Sequence, residues 1–289
     1  MNREGHYEIH SQQAIQVVTM SVQTWWIVLC IVAVLNIAAW IITAAALARR
    51  HDQFFLAEQH QQQRWMLWLS AAYVAGCSFR SFLPRIDLER VCLLQSELSN
   101  MVVGRSVATV AELCFIAQGA LLLYHAGSKT SVRFVSTVAL LLVPIIAVAE
   151  GASWYAILSK NYFGHVLENS IWTLSAMLLL ACFVLLWPHS NRKQRYFLTA
   201  MMVFAISYIV FMTNVDVPMY WTRWNAELES GMEFLSLHQG ILDASRPCDV
   251  NFNWNIWRME IPWMTLYFTV AVWFSILLAH FPRWDYRTN

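Results

Sequence analysis

Three glutamates and one histidine are the residues of this chain best placed to do chemistry, because each lies within or beside a long apolar stretch. Glu112 stands near the middle of one stretch and Glu150 ends the apolar run of the next. His165 and Glu168 follow at the start of a third, at helical i and i+3 spacing. Ionisable side chains in such surroundings are energetically expensive and by default mark function. These four residues are therefore the candidate catalytic residues.

The same four residues suit two kinds of chemistry. A deeply placed carboxylate such as Glu112 can exchange a proton and act as a general acid or base. Carboxylate oxygens with one imidazole nitrogen could also bind a divalent metal ion, with Glu112, Glu150, His165 and Glu168 as its ligands. The chain has one His-x-x-Glu, which is the reverse of the repeated Glu-x-x-His in helical di-metal sites. The sequence therefore leaves open whether the protein has no cofactor or binds a divalent metal ion.

Arginines near the same stretches could bind a substrate. Arg105 lies on one helix face with Thr109 and Glu112, at i, i+4 and i+7. Arginine can hold an anionic head group or a carboxylate through bidentate contacts. The substrate-binding candidates combine such arginines with nearby acids and tryptophans: Arg80, Arg105, Asp216, Arg258, Glu260, Trp154 and Trp172. The alternative for Arg80, Asp216, Arg258 and Glu260 is an interfacial role in which ion pairs tie helix ends together.

Two of the six cysteines fall outside the apolar stretches on the same predicted side. Cys92 and Cys248 could form a disulfide there if that side is oxidising, and the alternative is two free thiols. The spacing of cysteines and histidines matches no zinc site.

The composition indicates that membrane-spanning elements position these residues. The 289 residues are 58% hydrophobic and 13% charged, and the mean hydropathy is +0.45. Soluble domains carry about 25% charged residues. This shortage of charge excludes a disordered chain, a nucleic-acid-binding protein and an ordinary cytosolic enzyme. Membrane lipids are the expected partners, together with either a membrane-complex partner or a second copy of the chain.

A helix needs about 20 apolar residues to cross a membrane, and seven stretches meet that length. We therefore predict an all-α fold, a bundle of seven transmembrane helices that forms one domain over residues 1–289. The predicted spans cover about 25–48, 65–83, 101–124, 134–155, 164–187, 196–214 and 257–281.

Lysines and arginines in the short connections predict the orientation. They gather on one side, which we interpret as cytoplasmic: Arg49, Arg50, Arg64, Lys129, Arg133, Arg192, Lys193, Arg195, Arg283 and Arg287. The N-terminus would then be outside, the first span an uncleaved signal anchor, and the C-terminus cytoplasmic. A bacterial inner (plasma) membrane is the expected location. The candidate site residues lie toward the outer ends of their helices.

Two outer segments are predicted to contain short surface helices. The pattern of Leu88, Val91, Cys92 and Leu98 among charged residues predicts an amphipathic helix over Arg85–Asn100. The outer loop 217–255 is far longer than a typical connection. Apolar spacing within Arg223–Ala244 predicts a helix lying over the outer mouth of the bundle.

Three functions remain open at this stage. The first is a membrane-embedded enzyme, metal-dependent or acid/base, that acts on a lipid-like or small amphipathic substrate. The second is a proton- or cation-coupled transporter, although no internal repeat is visible. The third is a receptor or an accessory subunit of a membrane complex. A retinal Schiff base is excluded because Lys129, Lys160 and Lys193, the only lysines, all lie outside the spans.

Overall fold

A computed structural model describes residues 4–49 and 57–280, with side chains over 22–49 and 61–280. The predicted all-α class is confirmed. The longer helices are α1 (Glu4–Arg49), α2 (Ala57–Phe82), α3 (Met101–Thr130), α4 (Arg133–Ser159), α5 (Phe163–Leu186), α6 (Arg192–Phe211) and α7 (Val217–Glu229). The shorter ones are α8 (Leu237–Ala244), α9 (Trp254–Trp257), α10 (Ile261–Phe268) and α11 (Val270–His280). Three two-residue strands are β1 (Arg85–Ile86), β2 (Val91–Cys92) and β3 (Asp249–Val250).

Six helical segments within the described residues are long and apolar enough to cross a membrane. They are Val22–Arg49, Met101–Thr130, Arg133–Ser159, Phe163–Leu186, Arg192–Glu229 and Ile261–His280. Large apolar side chains project outward from these helices, with Ile42 68% exposed and Leu140 66% exposed. Exposure of this kind suits contact with lipid rather than water. Three arginines of the predicted cytoplasmic side lie outside the described residues: Arg50, Arg283 and Arg287. The end of the last predicted span lies outside them too.

Helix α2 contains the remaining predicted span but is less apolar than the six. Its 26 residues are long enough to cross, at about 39 Å. Arg80, Tyr73 and the buried serines Ser70, Ser78 and Ser81 lower its hydropathy. These side chains are buried because α2 packs against α1, α3 and α11. The length, burial and packing of α2 are those of an interior helix of the bundle.

Glycines let neighbouring helices approach closely beside the candidate site. A Cβ atom on Gly164 would lie 2.6 Å from the Ala152 carbonyl oxygen, so α5 can approach α4 only with glycine here. A Cβ atom on Gly76 would likewise lie 2.7 Å from the Ala111 Cβ, where α2 meets α3. Small residues serve this purpose in membrane helix pairs. Both contacts lie within one or two turns of the acidic residues.

The prediction of a helix over Arg85–Asn100 is wrong. The segment forms an antiparallel pair of β1 and β2, followed by a single 3₁₀ turn at Glu97–Ser99. Arg90 adopts a left-handed backbone conformation (φ 59°), which is incompatible with a continuing helix. Strand β2 also pairs with β3 from the distant outer loop. This pairing satisfies backbone groups that a helix would have satisfied internally.

A disulfide between Cys92 and Cys248 joins these two outer segments, with 5.8 Å between their Cα atoms. Arg90 adds further links, since its guanidinium donates to Asp243 Oδ2 at 2.9 Å and to the Ile157 carbonyl at 2.8 Å. Residues 83–100 and 230–253 therefore form one structure over this end of the bundle, which we call the cap. Helix α8 lies directly on the end of α4, where a Cβ atom on Gly240 would overlap the Leu158 carbonyl.

The prediction of a single helix over Arg223–Ala244, within the outer loop 217–255, is also wrong, because two separate helices, α7 and α8, occupy this segment. Helix α6 continues through a π-helical turn, Met212–Asp216, directly into α7. The wider turn accommodates Pro218, which lacks an N–H and would crowd a regular helix. Gly231, with φ 66°, ends α7 in a left-handed conformation, and α8 starts only at Leu237. Arg223 and Ala244 thus belong to two different helices.

The last span is a broken helix rather than one continuous segment from Trp257. Helix α9 ends at Trp257, and the apolar helix begins at Ile261 and is interrupted at Thr269. Asn36 of α1 stabilises the interruption, because its Nδ2 donates to the Phe268 carbonyl oxygen at 2.9 Å. The Asn36 Oδ1 accepts a bond from the Trp273 indole at 2.7 Å. A buried amide therefore compensates for the interrupted helix.

Candidate functional site

Three glutamates from three helices converge in the half of the bundle nearer the cap. Glu112 of α3, Glu150 of α4 and Glu168 of α5 are all buried. Each contributes a carboxylate oxygen to a group in which all three oxygens lie within 4.8 Å of one another. The sequence identified all three residues, and the structure brings them together. We call Glu112, Glu150, Glu168 and the adjacent Arg105 the glutamate cluster.

Arg105 is the only arginine in the cluster, and it pairs with two of the three glutamates. Its Nη2 lies 2.7 Å from Glu150 Oε2 and 3.1 Å from Glu168 Oε1. Among the described residues, Glu112 has no ion-pair partner. The shared helix face of Arg105 and Glu112 thus places both in one cluster but does not pair them. About 10 Å of helical rise separates these two residues of α3.

Hydrogen bonds fix the positions of the paired glutamates. Thr109 Oγ1 donates to Glu150 Oε2 at 2.6 Å and accepts a bond from the Trp154 indole at 3.1 Å. The remaining oxygen of Glu150, Oε1, is buried and has no hydrogen-bond partner. Thr109 was not among the candidate residues, although its i+4 spacing from Arg105 placed it on the right face. Trp154 acts here as a positioning residue for Glu150.

His165 extends the cluster toward the cap. Its Nδ1 lies 2.7 Å from Glu168 Oε2, and its ring packs against that of Tyr220 on α7, with 5.0 Å between centroids. Asn169, one turn along α5 from His165, donates a hydrogen bond to Asp216 in the π-helical turn. Ionisable groups therefore continue from Glu112 through Glu168 and His165 toward Asp216 and the end of the bundle.

The other substrate-binding candidates lie apart from the glutamate cluster. Asp216, Arg258 and Glu260 line a cleft of 150 Å³ between the π-helical turn, α7 and the start of α10. Arg80 approaches Asp87 of the cap at 3.8 Å and lies over the Phe268 ring. Trp172 packs against the apolar core of α3, α4, α5 and α6. With Arg105 and Trp154 at the glutamate cluster, the predicted binding residues thus occupy four places.

Arg85, beside Arg80, was not a candidate, although the cap buries it completely. Its Nη1 donates to the Asn100 carbonyl at 2.6 Å, and Gly104 leaves room for its guanidinium against α3. Burial lowers the pKa of Arg85 to about 10, and the positive charge of Arg80 acts in the same direction. Nothing in the local sequence distinguishes it from an exposed loop arginine, because its burial depends on the fold of the cap.

Three neutral buried residues form a hydrogen-bonded network in the opposite half of the bundle. Ser275 Oγ donates to Gln118 Oε1 at 2.7 Å and lies within hydrogen-bonding distance of Ser70 Oγ, at 3.1 Å. Gln118 Nε2 donates to the Ser275 carbonyl at 2.9 Å. These contacts join α2, α3 and α11 without a charge. Among the described residues, the buried acidic and basic side chains of the bundle, arginines and glutamates, therefore lie toward the cap.

Comparison of the chain with protein-family models, with curated proteins and with solved structures finds no match. The chemistry of the site follows from its own residues and geometry.

Proposed function

We propose that the protein is an integral membrane enzyme of seven spans whose glutamate cluster is an acid/base centre that binds and releases a proton. Its substrate would be a lipid-like or small amphipathic molecule that arrives from the outer leaflet. The convergence of three buried carboxylates, only two of which pair with the single guanidinium of Arg105, carries this proposal. Carboxylates that share a buried site cannot all remain ionised with a single positive partner.

Glu112 is the proposed proton donor and acceptor. Arg105 compensates Glu150 and Glu168, while Glu112 has no ion-pair partner among the described residues. The unbonded Glu150 Oε1 offers a buried acceptor for a proton carried by Glu112. His165 can exchange protons with Glu168 through their 2.7 Å contact and so connects the cluster with the end of the bundle nearer the cap.

A divalent metal ion fits the cluster less well than a proton does. Glu112, Glu150 and Glu168 could each offer one ligand oxygen. However, the Arg105 guanidinium already lies within hydrogen-bonding distance of two of these carboxylates. A second cation would be repelled by this guanidinium or would have to displace it. We therefore propose proton chemistry, and metal analysis is one arm of the test.

The opposite half of the bundle favours one-sided chemistry over coupled transport. A proton- or cation-coupled carrier must open its ion site to both sides of the membrane in turn. Ser70, Gln118 and Ser275 are neutral, buried and hydrogen-bonded to one another there. By contrast, the ionisable chain of Glu168, His165 and Asp216 leads only toward the cap. An enzyme needs access from one side alone.

The cap supports the proposed orientation, with this end of the bundle outside the cell. Disulfides such as Cys92–Cys248 persist in oxidising surroundings. In a bacterial inner membrane, the cap would face the periplasm. Lys129 lies at the end of α3 and Arg133 at the start of α4, both at the end of the bundle opposite the cap, as the positive-inside rule requires.

Infrared difference spectroscopy of the purified protein at two pH values tests the proposal. We expect the wild-type protein to show a protonated-carboxyl band that titrates. Glu112→Gln should remove this band, because the amide cannot release the proton. The matched control is Glu229→Gln, which neutralises an exposed glutamate at the end of α7 and should leave the band unchanged.

Two results would contradict the proposal. The first is a titrating band that survives Glu112→Gln. The second is a stoichiometric divalent metal in the wild-type protein that is lost in Glu112→Gln, which would establish a metal site instead. Elemental analysis of the same preparations distinguishes the second result from proton binding.

A further inference from the structure

The cleft between the π-helical turn, α7 and α10 is a second site that the acid/base centre does not use. Phe211, Val215, Met219, Met259 and Pro262 supply an apolar lining. Its charged and aromatic lining residues are Asp216, Tyr220, Arg258, Glu260 and Trp263. Glu112, Glu150 and Glu168 are not among the residues that line it. Apart from Asp216, toward which the ionisable groups of the cluster lead, the cleft therefore has its own polar groups.

The positive charge of Arg223 acts on both acids of this cleft from nearby, but no ion-pair contact in the described part of the chain satisfies them. Asp216 accepts a hydrogen bond from Asn169, and Glu260 accepts one from the Trp263 indole. Within the described residues, however, neither these acids nor Arg258 forms an ion pair. Glu260 is only 6% exposed, and burial raises the pKa of its carboxyl, so its charged form is stabilised only when a cation completes the site. Arg258 is exposed and leaves a positive group free nearby.

The cleft lies where lipid head groups lie. It is formed where α6 gives way to α7 and where the last apolar span begins at Ile261. Trp263 lines the cleft, and Trp221 and Trp224 contact each other edge to face on the adjoining α7, with 5.0 Å between ring centroids. Tryptophan favours the boundary between hydrocarbon and head groups. Nearer the opposite ends of these helices, Phe197 of α6 and Phe274 of α11 stack with 6.2 Å between centroids.

We propose that this cleft binds the phosphoethanolamine head group of a membrane phospholipid. The ammonium group would lie by Glu260 and Asp216, and the phosphate would pair with Arg258. A ligand with both charges complements two acids and one arginine that do not neutralise one another. The volume of 150 Å³ is below the roughly 300 Å³ of pockets that enclose a whole small molecule. It suits a head group whose acyl chains stay in the bilayer.

This binding site deepens the proposed function by naming the class of lipid, but it does not require proton exchange at Glu112. The two proposals can therefore fail separately. Glu112→Gln is expected to retain the lipid as well as the wild-type protein does. Loss of lipid in that variant would show that the cluster and the cleft form one site, and would overturn the separate cleft site.

Native mass spectrometry of the purified full chain tests the site with three added lipids. They are phosphatidylethanolamine, its N-acylated form, which lacks the ammonium charge, and phosphatidylglycerol. We expect the wild-type protein to retain phosphatidylethanolamine about tenfold better than the N-acylated form, as the loss of one charge-assisted contact implies. Equal retention of these two lipids, or better retention of phosphatidylglycerol, would overturn the proposal.

Charge-neutralising variants locate the binding to the cleft. Glu260→Gln and Asp216→Asn should each lower retention of phosphatidylethanolamine about tenfold. Arg258→Gln should weaken retention of all three lipids, because it removes the phosphate partner. The matched controls are Glu229→Gln and Arg246→Gln, which neutralise exposed residues outside the cleft. If Glu260→Gln does not fold, Asp216→Asn decides the outcome, and unchanged retention in Asp216→Asn would refute the site.

Discussion

Glu112 and Glu150 are chemically identical side chains in one cluster, yet their surroundings give them different roles. Glu150 contacts Arg105 and Thr109 through the same oxygen, at 2.7 and 2.6 Å. Glu112 forms no ion pair with Arg105 or with any other described residue. A carboxylate with fixed positive and hydroxyl donors is stabilised in its charged form, whereas one without them is stabilised by a proton. Burial alone would not have separated the two residues.

This difference predicts that two amide substitutions have unequal effects on stability. Glu112→Gln resembles the protonated side chain and should change the free energy of unfolding by less than about 1 kcal/mol. Glu150→Gln leaves Arg105 with one carboxylate partner fewer and should cost about 3 kcal/mol. Thermal unfolding in detergent, compared with wild-type protein, measures both changes.

A combined variant provides the control for this prediction. Arg105→Met together with Glu150→Gln removes both members of the pair. The double variant should therefore lose less stability than the sum of the losses in Arg105→Met alone and Glu150→Gln alone. Equal losses for Glu112→Gln and Glu150→Gln would contradict the assignment of different charge states to the two glutamates.

The sequence identified the cluster residues because apolar helices make charged exceptions conspicuous. It could not identify their partners, since the Glu150–Arg105 contact joins residues 45 positions apart. Arg105 and Glu112 share a face of α3 at local spacing, which is readable from sequence. Which of them faces α4 and which is left unpaired depends on how closely α3, α4 and α5 pack.

Gly164 allows the close packing of α5 against α4. Its missing side chain allows α5 to lie against Ala152 and Ala156 of α4, one turn before Glu168. Gly164→Ala should push α5 away, lengthen the Glu168–Arg105 contact and cost about 2 kcal/mol of stability. The helical propensity of alanine, which favours the substitution by about 1 kcal/mol, is too small to compensate.

Gly119→Ala is the matched control for Gly164→Ala. Both positions are helical glycines, but a Cβ atom on Gly119 would meet no atom within 4 Å. This control should therefore be neutral or slightly stabilising. If thermal unfolding shows equal changes for the two variants, close approach of α4 and α5 does not determine the stability of the site.

The cap shows where helical periodicity misleads. Leu88, Val91 and Cys92 are buried, as an amphipathic helix would also require, but they are buried by strands and turns. The decisive constraints are the left-handed Arg90 and the pairing of β2 with β3, whose residues lie more than 150 positions further along the chain. A local pattern cannot reveal such long-range pairing. The long apolar helices were predictable because a local stretch of about 20 apolar residues indicates a membrane span without any long-range contact.

The distribution of polarity over the bundle links the cluster, the cleft and the cap. Charged groups in the interior lie toward the cap, while the opposite half is closed by neutral contacts such as Gln118–Ser275. A disulfide holds the cap together at the charged end. The disulfide fits the proposed outward-facing cap, because disulfides persist in oxidising surroundings.

Single cysteines introduced at the two ends test this orientation and the number of spans together. Glu233→Cys lies in the cap and Lys129→Cys at the opposite end of α3, and both positions are exposed. With the cap outside, a membrane-impermeant maleimide should label Glu233→Cys in intact cells and Lys129→Cys only after permeabilisation. Wild-type protein is the control, because its free cysteines lie within the helices, Cys77 and Cys182 being buried. The reverse pattern would place the cap in the cytoplasm. Labelling of both positions in intact cells would mean that an even number of spans separates them, whereas α4, α5 and α6 make three.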